Sequence, residues 1–176
     1  INRFAQEVVN NFTSYHVPVI KLGKDTSRAA VCLVFEKVNT GGKPLDAFEL
    51  VTAMYASEEF HLRDDWKARR EQLIKQKVLA KIEPVEFLQA VSLLHTKERR
   101  DEAIANGAEP PAISATRNSL LQVPLAAYKK WADKVEAGYV AAAKFLHSLK
   151  IFNSRDLPYQ TQLVPLAAIL AELGTA

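Results

Sequence analysis

The run Val34-Phe35-Glu36-Lys37-Val38-Asn39-Thr40-Gly41-Gly42-Lys43-Pro44-Leu45-Asp46-Ala47-Phe48-Glu49-Leu50 constrains this chain more than any other stretch. A helical pattern stops at Asn-Thr-Gly-Gly and a second one restarts at Pro44. Two adjacent glycines free the backbone for φ > 0 and for close approach of a ligand. Pro44 suits the first turn of a helix, where its missing N–H is not needed. A glycine-rich turn feeding a helix N-terminus gathers backbone N–H groups, which favour phosphate. The same spacing also describes an ordinary corner between two helices.

Helical periodicity dominates the remainder. Phe4, Val8 and Phe12 share a face of a short helix over residues 2–13. Residues 15–22 read as a strand, with Pro18 placing it at an edge. Gly23 ends it, and Thr26 or Ser27 caps a helix over 28–38. Beyond the glycine turn, Leu45, Phe48, Thr52 and Tyr55 line a helix reaching about Ser57. A charged helix is expected over 64–80 with Trp66, Leu73 and Val78. Another begins at Pro84 with Phe87, Val91 and Leu94 on its apolar face. Residues 106–115 (Asn-Gly-Ala-Glu-Pro-Pro-Ala-Ile-Ser-Ala) read as a loop or a boundary between subdomains. A long helix over 124–149 carries Trp131, Val135, Val140 and Phe145. Leu157-Pro158-Tyr159 breaks the pattern, and an apolar helix over 163–173 is expected to be buried. One strand cannot make a sheet, so the expected class is mainly α: a multi-helix bundle with one or two short strands.

Composition narrows the function classes. The 176 residues suffice for a real core, and the apolar (48%) and charged (24%) fractions are those of a globular protein. No apolar run approaches the ~20 residues needed to cross a bilayer, and no secretory leader is evident. The lone Cys32 sits in an apolar run, which excludes an internal disulfide framework and points to a reducing cytoplasm. The chain opens at Ile1 in a helical pattern, as a piece of a longer protein would.

The net charge of +3 is too small to argue for nucleic acid, yet it is unevenly spread. Between His61 and Ile82 seven Lys/Arg face three carboxylates. Lys67, Arg69, Arg70, Lys75 and Lys77 are therefore the candidate DNA contacts, although a basic helix face is also an ordinary solvated one. His16, His61, His95 and His147 lie too far apart to form a metal motif at helical spacing. No HExxH, GxxxxGK[ST] or GxSxG occurs, and Asp64 and Asp65 diverge on a helix, so no complete catalytic set is visible. The glycine turn remains: Asn39 can meet a cation or a phosphate, Thr40 offers a hydroxyl, Lys43 a charge, and Gly41 and Gly42 close N–H approach. Capping and turn roles account for the same residues equally well.

Phe35-Glu36-Lys37-Val38-Asn39-Thr40-Gly41-Gly42-Lys43-Pro44-Leu45, followed by Phe48-Glu49-Leu50, closely resembles the F-E-x-x-N-x-G-G-x-P-L-x-x-x-E-L signature of the N-terminal domain of GmrSD-type restriction endonucleases. Tyr15-His16-Val17-Pro18-Val19-Ile20 is similar to the preceding strand of that family, and the run from Leu157 to Leu166 to a later helical segment. The resemblance implies a ParB/sulfiredoxin-like α+β domain, its C-terminal part at residues 1–57, with a helical extension over 58–176 and a sub-boundary near 106–115. It implies nucleotide-dependent restriction of modified phage DNA, with a nucleoside triphosphate and Mg²⁺ as cofactors of the parent protein. On that basis Asn39, Thr40, Gly41, Gly42, Lys43 and Glu36 would form part of the nucleotide site, with Asn39 reaching the metal through the nucleotide. The family's upstream Asp-Gly-Gln-Gln-Arg motif and its His-Me-finger nuclease domain are not in this chain. The implied partners are DNA and a nuclease domain or subunit, and the chain by itself is expected to be inactive. ParB-like domains place Asn, Leu and Glu at positions matched by Asn39, Leu45 and Glu49, but Val38 and Gly42 replace their Glu and Arg. The alternative reading is a non-enzymatic helical module that docks a nuclease domain or partner subunit.

Overall fold

The computed structural model describes residues 45–174, with Val19, Gly23 and Val34 as single positions. The expected strand, the helices over 2–13 and 28–38 and the glycine turn otherwise lie outside the described residues. All regular structure among the described residues is helical, with no strand, which agrees with the mainly α expectation.

The first helix, α1 (Ala47–Ala56), is started by its own sequence. Asp46 Oδ1 accepts from the Glu49 N–H at 2.8 Å and Glu49 Oε2 accepts from the Asp46 N–H at 3.0 Å. This reciprocal capping box satisfies two donors that every helix start leaves open. Ala47, Val51 and Tyr55 follow at i, i+4, i+8 and are buried, with Phe48 and Leu50 beside them. Thr52, expected on that face, is half-buried and turns its hydroxyl back onto the Phe48 carbonyl at 2.7 Å.

The second helix, α2 (Leu62–Leu73), is shorter than the expected 64–80. Residues 74–76 turn, and a 3₁₀ turn (Lys77–Leu79) follows. The reason is rotational. Leu62, Trp66 and Leu73 form one inward stripe, but at about 100° per residue a continuous helix would aim Val78 and Leu79 more than roughly 100° away from it. Breaking the helix lets Val78, Leu79 and Ile82 all enter the core.

Helix α3 (Pro84–Ala105) begins with Pro84 at its first position, as expected, behind a Glu83/Glu86 capping box. Its Phe87, Val91 and Leu94 are buried. The segment 106–116 is non-helical but is fastened to α3. Ser92 Oγ donates to the Ser114 carbonyl at 2.9 Å, and Thr96 Oγ1 accepts from the Ser114 N–H at 3.0 Å. A short helix not anticipated from sequence, α4 (Arg117–Leu121), follows, capped by Thr116. Helix α5 (Leu125–Ser148) matches the expected long helix, and α6 (Leu163–Leu173) the expected last one. Of the positions thought apolar and inward, Trp131 and Val135 are buried, Val140 is half-buried, and Phe145 is exposed. Helix α6 buries Leu163, Val164, Ala167, Ala168 and Ala171 but leaves Ile169 and Leu173 exposed.

Helices α5 and α6 approach through small side chains. A Cβ placed on Gly138 would lie 2.3 Å from the Ala167 carbonyl oxygen and 2.9 Å from the Ala171 Cβ. An aromatic cluster links the other helices: Tyr128 lies 5.7 Å from both Tyr55 and Phe60 and 6.5 Å from Phe87, and Phe87 lies 5.4 Å from Trp66. Such pairs contribute about 0.5–1.5 kcal/mol each beyond area burial. One continuous core takes residues from both sides of residue 57 and of the 106–115 segment.

Three helices end the same way. The N–H groups of Phe60, Ala108 and Ile151 reach back to the carbonyls of Tyr55, Ala103 and Leu146 at 3.1, 2.8 and 3.0 Å. The residues before them, Glu59, Gly107 and Lys150, have φ of 57°, 68° and 66°. These are Schellman ends, in which a left-handed residue lets the chain satisfy the last carbonyls. Only one of the three carries the glycine that such a position favours.

Candidate functional site

Of the Phe35–Leu50 signature, residues 45–50 are described. Asn39, Thr40, Gly41, Gly42, Lys43 and Glu36, the nucleotide-site candidates, lie outside the described residues. The downstream half has a clear local role. Asp46 and Glu49 lock the helix start, Phe48 and Leu50 are core residues, and Leu45 packs against the core. Arg117 Nη2 donates to the Leu45 carbonyl at 3.1 Å, tying the entry of α1 to α4. Glu49 thus holds the Asp46 backbone through its carboxylate.

The basic residues of α2 and the following turn divide into two groups. Lys67, Arg70, Lys75 and Lys77 are exposed, with the Lys75 ammonium bonded to the Gln72 side chain. Arg69 is different: its side chain is only 14% exposed and is held by three carboxylates. Nε donates to Asp65 at 2.8 Å, Nη1 to Glu136 at 2.7 Å and Nη2 to Asp133 at 2.8 Å. Its guanidinium also lies 5.9 Å from the Phe87 ring centroid. Burial opposes the charge, but the hydrogen bonds to Asp65 and Asp133 outweigh it and raise the Arg69 pKa above its ordinary value. This arginine joins α2 to α5 and is not presented to a phosphate backbone.

Asp65 also accepts from the Tyr128 hydroxyl at 2.5 Å. Burial and that carboxylate push the Tyr128 pKa up, so the phenol stays a donor. Tyr139, buried with its hydroxyl donating to the Glu86 carbonyl at 3.1 Å, is raised by burial and by the Glu86 charge. The Arg69–Asp65 pair is readable in sequence as an i, i+4 pair. Asp133 and Glu136 are more than sixty positions away and carry no sequence signal of their role.

Among the described residues no cluster of three His, Cys, Asp or Glu could hold a metal ion. His61 is exposed at the start of α2, and His147 lies 5.4 Å from Phe152, ring to ring. His95 is half-buried, and burial and Arg99 lower its pKa, against the opposing pull of Glu98 and Glu102. No helix among the described residues is long and apolar enough to cross a membrane.

Comparison with protein-family models, with curated proteins and with solved structures finds no match. The class these observations define is a helical bundle built on an aromatic core. Its functional reading rests on the side chains themselves.

Proposed function

We propose that this chain is part of a nucleotide-dependent, modification-dependent restriction protein that acts in phage defence and resembles the GmrSD type. In this reading Asn39, Thr40, Gly41, Gly42 and Lys43, with Glu36 nearby, contribute to a site for a nucleoside triphosphate and Mg²⁺ in the parent protein. The helical region relays that state to a nuclease domain or meets DNA through Lys67, Arg70, Lys75 and Lys77. The observation that carries the reading is the signature from Phe35 to Leu50, supported by the way its downstream half is anchored. The capping box and the buried Phe48 and Leu50 hold the chain immediately after the turn. A phosphate-binding turn needs such a support, because backbone N–H groups must be held in place before the anion arrives.

The test is calorimetry of nucleoside triphosphate binding with Mg²⁺ on the full-length protein, comparing wild type with Asn39→Ala. Loss of binding in the variant supports the reading, and unchanged binding overturns it. The alternative is a non-enzymatic helical module docking a nuclease domain or partner subunit. It has behind it the exposed Ile113, Ile169 and Leu173, which line an apolar groove of about 330 Å³ between α3 and α6.

A further inference from the structure

Helix α6 is apolar almost all the way round, with Glu172 as its one polar side chain. Such a helix belongs inside a protein, yet Ile169 is 56% exposed and Leu173 74%. These two residues form one wall of the groove of about 330 Å³, to which α3 supplies Leu93 and Leu94 and the 106–116 segment Ile113. A trough between two helices is the shape that receives the side-chain ridge of a third.

The groove opens onto an acidic rim. A depression of about 270 Å³ shares Leu94, Lys97 and Glu172 with it and adds Glu98, Asp101 and Glu102. Lys97 Nζ donates to Asp101 at 2.6 Å and to Glu172 at 3.1 Å, and Lys130 pairs with Glu98. Four carboxylates against two ammoniums leave a net charge of −2 at this rim. Glu102 makes no hydrogen bond or ion pair with any described residue. Glu102 and Glu172 also stand in the last turns of α3 and α6, where no basic residue offsets the negative end of the helix. A cation brought to this rim would relieve both the excess charge and its placement.

We propose that the α3–α6 groove docks an amphipathic helix of a partner protein, its apolar face on Ile169, Leu173 and Ile113 and its Lys or Arg residues over Glu102 and Glu172. This inference rests on the docking alternative given above and names the chemistry of the partner. Charge selects the occupant. A second copy related by a two-fold axis would bring the same carboxylates face to face, and an anionic lipid surface would be repelled. A helix with an apolar stripe and basic residues satisfies both halves of the site.

The experiment is an NMR titration of the whole chain with a synthetic helical peptide carrying leucines at i, i+4 and i+7 and lysines at one end. Its control is the same peptide with glutamates in place of the lysines. Saturable shifts of the Ile169 and Leu173 methyls are expected, with a midpoint near ~100 μM for the lysine peptide and about tenfold weaker binding of the glutamate peptide. Ile169→Asp, at an exposed position, should weaken the lysine peptide about tenfold or more, and Glu102→Gln about twofold to threefold. Equal binding of the two peptides, or no effect of Ile169→Asp, would overturn the proposal. Saturable shifts on another face of the bundle would overturn it while leaving the docking reading in place, and no saturable shift with either peptide would count against both. In the free chain, self-association that Ile169→Asp abolishes, or a nuclear Overhauser contact from the Ile169 methyl to a residue before Leu45, would assign the groove to a second copy or to the chain itself and would also overturn the proposal.

Discussion

The Tyr128 hydroxyl and the Arg69 guanidinium converge on one oxygen, Oδ2 of Asp65, at 2.5 and 2.8 Å. A single carboxylate thereby holds a buried phenol and a largely buried cation. It also couples α2 to α5, because Arg69 continues to Asp133 and Glu136 on the latter.

Removing that carboxylate should cost more than removing the phenol hydroxyl it accepts from. Asp65→Ala leaves a buried phenol and loosens a buried cation, and is expected to destabilise by about 3 kcal/mol. Tyr128→Phe keeps the ring packing and loses one hydrogen bond, an expected cost of about 1 kcal/mol. Urea denaturation of both variants checks the order; equal costs would show that Asp65 has no shared role.

Gly138 permits the close approach of α5 and α6. Gly138→Ala places a methyl 2.3 Å from the Ala167 carbonyl oxygen, which belongs to the backbone and cannot rotate away. The helix-propensity gain of about 1 kcal/mol for alanine is expected to be outweighed by overpacking, for a net loss of about 1–3 kcal/mol. A rise in thermal stability of the variant would contradict this packing.

Glu59 and Lys150 occupy left-handed positions at φ of 57° and 66°. A side chain there costs about 1–2 kcal/mol, partly offset by the greater entropy glycine loses on folding. Glu59→Gly and Lys150→Gly are each expected to stabilise by about 0.5–1 kcal/mol, and Gly107→Ala to destabilise by a similar amount. Three denaturation midpoints test this, and the sign is the informative part.

His95 should show in the pH dependence of stability. Its pKa is lowered in the folded chain by burial and by Arg99, so the unfolded chain binds the proton more readily. Stability from this residue is present above the ordinary histidine value of about 6.5 and is lost as pH falls through it toward the folded value. Wild type is expected to lose more stability than His95→Gln between pH 7.5 and pH 5.5. Equal losses in the two proteins would remove His95 from the account.

The basic stretch between His61 and Ile82 shows where one-dimensional reading stops. Its charge excess was visible, and Lys67, Arg70, Lys75 and Lys77 are exposed as a basic face requires. Arg69 looked like their equal but is enclosed by carboxylates from a helix that reaches it only in three dimensions. The fastening of the 106–116 segment was equally hidden, since Ser92 and Thr96 meet Ser114 only because that segment folds back on α3.

Local rules determined the helices. Pro84 at a first turn, the Asp46/Glu49 capping box, and the apolar spacing of α3, α5 and α6 all act within a few residues, so they can be read from the chain itself. Tertiary structure decided what depends on competition for the interior. It ended α2 at Leu73 so that Val78, Leu79 and Ile82 could be buried, and it left Phe145, Ile169 and Leu173 exposed despite their apolar character. It also set Arg69 among Asp65, Asp133 and Glu136. Periodicity says which side chains share a face, whereas only packing says which faces find a partner.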